Sequence, residues 1–211
     1  MSNLVKNNGV FFTSIGSLVV ASLVEISLFS KKAGFENMNP VHNLALDKFF
    51  YLITQLGNGW CMIIVSALYL ILKRKKLAFL IFSSFLLSGV IAQVLKYFIP
   101  EARPAMILDK SQYPYFIDHV TLHSYSSFPS GHTASAFAMA TVISFYLPDK
   151  WWSVPLLLYA VLVGYSRIYL GNHFLIDVLS GLIIGVISSV FCWLVIKGRS
   201  SDTFKISKQV M

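Results

Sequence analysis

Long apolar runs separated by short polar breaks organise this chain. The first run extends from Phe11 to Ser30. A shorter one, from Gly59 to Leu72, is stopped by Lys73-Arg74-Lys75-Lys76, and a third follows at once from Leu77 to Ile99. After a mixed stretch come Thr133 to Leu147, then Trp151 to Leu170 beyond the turn Pro148-Asp149-Lys150, and finally Phe174 to Ile196. A bilayer core takes about 20 apolar residues of helix. The pattern therefore predicts an all-α, polytopic membrane protein: six transmembrane helices in a bundle, forming one integral-membrane domain over residues 1–211. Lys6 ahead of the first run matches the start of a signal peptide, but no small-x-small cleavage site follows. The first helix is expected to be retained.

Two segments outside the runs have a pattern of their own. Leu46, Phe49, Phe50 and Ile53 fall at helical spacing, with Asp47, Lys48 and Gln55 elsewhere on the wheel. That predicts a short interfacial helix before Gly57-Asn58-Gly59. Residues 105–128 form the only long connection and carry Tyr113, Pro114, Tyr115, Phe116 and Tyr125. A loop of this length reads either as a substrate-facing flap or as a stretch of aromatic belt.

Composition supports the membrane reading, since 56% hydrophobic and 12% charged residues over 211 positions lie far from soluble-domain usage. Lys and Arg in short loops favour the cytoplasmic side. With the N-terminus inside, Lys73, Arg74, Lys75, Lys76, Lys150 and the basic tail 197–211 (Lys197, Arg199, Lys205, Lys208) are cytoplasmic. Lys31, Lys32, Lys48 and Lys110 fall on the other face. Both termini are then cytoplasmic, in a bacterial-type inner membrane. The net charge of +8 reads as topology and contact with anionic membrane lipid. No aromatic-interleaved basic patch suggests nucleic acid, and nothing in the sequence signals an oligomeric state.

Three polar islands interrupt the apolar chain: Lys96 with Arg103-Pro104, then Pro129-Ser130-Gly131-His132, then Ser166-Arg167 with His173 and Asp177. Each sits where a run begins or ends. With six alternating helices, the end of the third, the start of the fourth, the end of the fifth and the start of the sixth share one face. The islands therefore converge at the extracytoplasmic boundary.

Their chemistry suits an anion. Lys96 and Arg103 bring two cations to one loop that Pro100 and Pro104 stiffen. Ser130-Gly131 opens a helix whose first N–H groups lack intrahelical partners, a ready anion site, and His132 beside it can donate a proton. His173 and Asp177, spaced i to i+4, lie on one helix face, so the carboxylate can accept one ring N–H and raise the nucleophilicity of the other nitrogen. Arg167 adds a third cation. Phosphoryl transfer is catalysed mainly by positioning and charge stabilisation, and this set supplies both. No Walker loop, two-metal carboxylate cluster or HExxH is present, so a metal-free histidine phosphatase without cofactor fits best.

Lys96-x6-Arg103-Pro104, Pro129-Ser130-Gly131-His132 and Ser166-Arg167-x5-His173-x3-Asp177 together resemble the three signature motifs of the type-2 phosphatidic acid phosphatase superfamily. The motif core spans residues 96–177. The resemblance implies that His173 attacks phosphorus to give a phosphohistidine, that Asp177 orients it, and that His132 protonates the leaving oxygen. Lys96, Arg103, Ser130, Gly131 and Arg167 would hold the phosphate. The family shares its site with vanadate-dependent haloperoxidases, which implies metal independence and inhibition by vanadate.

The expected substrate is a membrane lipid phosphate or diphosphate: undecaprenyl diphosphate, phosphatidylglycerol phosphate, phosphatidate or a phosphate of lipid A. The alternatives are a lipid phosphotransferase using the same intermediate and a non-catalytic phospholipid-binding transporter or scaffold. His42, His119 and His123 lie outside the motifs and are expected to face water without a role. Glu25, near the outer end of the first run, reads as a snorkelling carboxylate. Cys61 and Cys192 read as unpaired, buried thiols.

Overall fold

The hydrophobic periodicity becomes nine α-helices among the described residues, which in this computed structural model are 4, 8–108, 111, 113–118 and 120–209, with the side chains of 197–209 excepted. They are α1 (Gly9–Leu28), α2 (Lys31–Met38), α3 (Leu44–Gln55), α4 (Gly59–Ile71), α5 (Lys75–Phe98), α6 (Pro104–Ile107), α7 (Gly131–Tyr146), α8 (Ser153–Tyr169) and α9 (Leu175–Gln209). A single 3₁₀ turn, Lys150–Trp152, precedes α8. Lys110 and His119 lie outside the described residues, as do the side chains of the basic tail.

Polar residues between the runs start the helices. Ser30 Oγ accepts from Ala33 N at 3.2 Å at the head of α2, and Asn43 Oδ1 accepts from Leu46 N at 2.9 Å at the head of α3. Pro104 occupies the first turn of α6, where its missing N–H costs nothing.

Among the described residues, four stretches are long and apolar enough to cross a bilayer: α1, α5, the 3₁₀ turn with α8, and the first 22 residues of α9, Leu175–Ile196. A fifth arises if α3 and α4, bent by 53° at their junction, form one broken span. The short helix expected around Leu46–Ile53 is thus present as α3, joined to α4 through the elbow Gly57-Asn58. Alone, the 13 residues of α4 rise about 20 Å, short of a bilayer core of about 30 Å. At this elbow a Cβ on Gly57 would run into Val163 of α8 and the backbone of His132, so glycine lets it press against both helices.

The fourth predicted span, α7, has 16 residues and is buried rather than lipid-facing, with every residue from Thr133 to Val142 enclosed. Helices α5, α8 and α9 pack around it. Small side chains permit this: Ala134 and Ala138 on α7 lie against Gly181 and Gly185 of α9, a G-x-x-x-G pair. A Cβ at Gly181 would strike Ser130 O and one at Gly185 would strike Ala134 O. By contrast α1 leaves Val20, Leu23, Val24 and Leu28 exposed, the pattern of a helix that faces lipid. Cys61 and Cys192 are free and belong to one apolar cluster with Met62, Leu80 and Met139.

Candidate active site

Each polar island sits at a helix end, and those ends meet. Lys96 lies in the last turn of α5, and Arg103 is the residue just before α6. Ser130 precedes α7, with Gly131 and His132 in its first turn. Arg167 lies in the last turn of α8, and Asp177 in the first turn of α9. His173 falls in the tight connection between α8 and α9, where Gly171 adopts a φ of +67° that favours glycine.

Arg103 is the hub. Its Nε donates to Ser124 Oγ at 2.8 Å, Nη1 to Asn172 O at 2.7 Å and Nη2 to Ser126 O at 3.1 Å. Nη1 also lies 3.5 Å from His173 Nε2. Lys96 Nζ donates to Ser126 O at 2.5 Å and reaches Ser127 O at 3.5 Å. Arg103, Arg167 and His173 are all buried. The two guanidinium cations are costly in an apolar interior unless compensated, and an anion placed between them would compensate them.

On its other side the ring of His173 meets Asp177. Nδ1 lies 3.5 Å from Asp177 Oδ2, a contact that does not close as a hydrogen bond, and Nδ1 has no other partner. Asp177 Oδ2 is held by Ser127 Oγ at 2.6 Å and Phe174 N at 2.9 Å. Such contacts commonly tighten only when a ligand arrives. Burial pushes the His173 imidazole well below its ordinary value in spite of Asp177, and the charges of Arg167 and Arg103 act in the same direction as burial. The ring is therefore neutral near neutral pH.

Ser130 is fully buried. Its N–H donates to Asp177 O at 2.9 Å, which locks α7 to α9, and its Oγ accepts from Thr133 Oγ1 at 2.8 Å. Arg167 Nη1 donates to Thr54 Oγ1 at 2.6 Å, while its Nε has no partner. A buried guanidinium with an unpaired donor calls for one more acceptor. Among the described residues, no three His, Cys, Asp or Glu side chains cluster as metal ligands.

All three islands are thus brought to one place by four helix ends. A family model for the PAP2 superfamily matches residues 77–201, which include every residue just described from Lys96 to Asp177. The chain belongs to the PAP2 superfamily. A lipid A 4'-phosphatase of Porphyromonas gingivalis is 34% identical over 173 residues, covering 75% of this PAP2 chain and 70% of the relative. An undecaprenyl-diphosphatase of Sulfolobus acidocaldarius is 30% identical over 152 residues, covering 72% and 71%. The crystal structure of a transmembrane PAP2-type phosphatidylglycerolphosphate phosphatase from Bacillus subtilis superposes with a TM-score of 0.64 at 25% identity, over 93% of this chain and 96% of that one.

The motifs do not name every residue that builds the site. Ser124, Ser126 and Ser127 belong to the 105–128 connection, several of whose described residues pack against the helices around the site. Tyr113 and Phe116 are buried against Phe35 and Phe174, and Thr121 Oγ1 donates to Leu170 O at 3.0 Å. Asn172 Oδ1 accepts from Leu122 N at 2.8 Å.

His42 departs from the water-facing reading. It stacks on Tyr115 and Tyr169 with centroids 4.8 and 4.2 Å away, and Nδ1 lies 3.3 Å from Asp47 Oδ1. Its Nε2 is 2.9 Å from Asn39 Oδ1 and 2.8 Å from Tyr113 Oη. Folding gathers these rings from three distant segments, so local polarity gave no sign of it. His123 is exposed as expected.

Proposed function

We propose that this membrane lipid phosphatase crosses the bilayer six times, keeps both termini in the cytoplasm of a bacterial-type inner membrane, and hydrolyses a lipid phosphate at the opposite face through a phosphohistidine on His173. The observation that carries this reading is the environment of the His173 ring, with a carboxylate 3.5 Å from Nδ1 and a guanidinium 3.5 Å from Nε2. With Nδ1–H directed at Asp177, the Nε2 lone pair faces the cations where a phosphate would lie.

In the first step Nε2 forms a bond to phosphorus and the ester P–O bond breaks. Its electron pair leaves on the lipid oxygen, which takes a proton from His132, an imidazole that burial and the charges of Arg167, Arg103 and Lys96 hold below its ordinary value until the phosphate's negative charge offsets them. In the second step a water attacks phosphorus while His132 removes its proton, and the P–N bond returns its pair to Nε2. Lys96, Arg103, Arg167, Ser130 and the N–H groups at Gly131 hold the phosphoryl oxygens, whose charge grows toward the transition state. No metal is needed for either step.

The relatives' names span lipid A, undecaprenyl diphosphate and phosphatidylglycerol phosphate, substrates that share a phosphate on a membrane lipid. Phosphatidate fits the same description. The test is phosphate release from a purified lipid phosphate in detergent with a chelator present. Wild type is expected to turn over, and His173→Ala to lose at least about 10³-fold in kcat with its thermal unfolding unchanged. Undiminished release by His173→Ala would remove the nucleophile from this mechanism.

A further inference from the structure

A cavity of about 390 Å³ opens between the last turn of α1, helix α2 and the first turn of α9. Its walls are mainly hydrocarbon, from Ile26, Phe29, Phe35, Ile99, Phe128 and Phe174. Two of these rings are chain neighbours of the site, since Phe128 precedes Pro129-Ser130 and Phe174 follows His173. At the polar end, Lys31 Nζ lies 2.7 Å from Glu101 Oε2 and 4.8 Å from the centroid of the Phe174 ring. Glu101 O accepts from Ser127 N at 2.9 Å, and Ser127 holds Asp177. The cavity therefore backs directly onto the wall of the site.

Gly34 is the residue in this cavity that local structure does not require. It sits inside the eight-residue helix α2, where glycine costs about 0.5–1 kcal/mol relative to alanine. Its φ lies outside the left-handed region, and a Cβ there would meet nothing closer than Glu25 Oε1 at 3.7 Å and Phe29 Cβ at 3.8 Å. Neither backbone strain nor close approach explains the glycine. What a side chain would take up is the cavity. Helices α1 and α2 also lie outside residues 77–201, the part matched by the family model, so this wall is not part of the shared chemistry.

We propose that this groove holds the hydrocarbon chain of the lipid phosphate while its phosphate lies among the cations, and that Gly34 keeps the groove open. The inference rests on the phosphatase reading above. The occupant is a chain because the lining is apolar, because two of the lining residues, Phe29 and Ile99, are themselves exposed on the apolar surface of the helices, and because the groove ends against residues that flank the phosphate site. Chemistry would then be carried by the shared core, and the choice of lipid by the N-terminal helices.

The test uses full-length protein in detergent with two substrates, dioleoyl phosphatidate and the chainless para-nitrophenyl phosphate. Gly34→Phe, and Ile26→Trp from the facing wall, are expected to raise KM for the lipid by about tenfold or more, with kcat for both compounds and KM for the aryl phosphate within about twofold. Gly34→Ala, whose Cβ has room, should behave as wild type. An unchanged lipid KM, or equal losses on both substrates, would overturn the proposal. A phosphatidate carrying a diazirine midway along one chain gives a readout independent of turnover. Residues 26–35 should be labelled in wild type and spared in Gly34→Phe, and undiminished labelling of that variant would also overturn the groove. Labelling without phosphate release from either compound would keep the groove and overturn the phosphatase reading; release without labelling would do the reverse.

Discussion

Ser127 shows most directly how a side chain outside the motifs is built into the site. Its hydroxyl donates to Asp177 Oδ2 at 2.6 Å and its N–H to Glu101 O at 2.9 Å, so one residue ties the loop wall to both the carboxylate and the Lys96–Arg103 segment. A hydrogen bond to a charged group is worth about 1.5–3 kcal/mol. Ser127→Ala is therefore expected to lower kcat by about tenfold with little change in KM, because Phe174 N still holds the carboxylate in place. Steady-state rates on one lipid phosphate check this, and an unchanged kcat would mean that Phe174 N suffices. The motif residues were legible because their meaning lies in short spacings, such as the i to i+4 step from His173 to Asp177. Ser127 and Thr54 were not, because each acquires its partner across 50 and 113 positions respectively. The same distance hid His42, whose rings and acceptors come from three segments.

Among the elements, α7 departs furthest from its sequence reading. Its apolar run has the look of a lipid-facing span, yet the helix is enclosed by α5, α8 and α9. The signal was in the size of the side chains rather than their polarity, since alanines opposite Gly181 and Gly185 allow the backbones to approach closely. Gly185→Leu should therefore separate α7 from α9, because even a Cβ there collides with Ala134 O. Overpacking of this kind costs about 1–3 kcal/mol or more. Both thermal stability in detergent and phosphate release are expected to fall together, since Ser130 and Asp177 are joined through the same interface. Gly16→Leu on α1, where a Cβ meets nothing within 4 Å, serves as the control and should leave both unchanged. A stable, active Gly185→Leu protein would show that the two helices have slack.

For the whole molecule, the question is which side of the membrane the site faces. The basic clusters at Lys73–Lys76 and Lys150 lie at the helix ends remote from the site, and in the proposed topology they are cytoplasmic. In a background with Cys61 and Cys192 replaced by Ala, His123→Cys on the exposed loop should react with an impermeant maleimide in intact cells. Lys75→Cys should react only after lysis. The reverse pattern would invert the orientation.

Taken alone, the sequence determined that the chain is helical and membrane-embedded, roughly where its long apolar helices lie, and which residues could handle a phosphate. These are local properties, written in hydrophobic period, capping residues and short motif spacings. Only the tertiary structure decided that α7 is the buried centre, that α3 and α4 meet in a bend, that Arg103 stands against His173, and that a serine wall closes the site. Those outcomes depend on which helix surfaces can approach one another and on hydrogen bonds between residues far apart in the chain. Side-chain volume and packing geometry set both, and neither is visible in a pattern of apolar and polar positions.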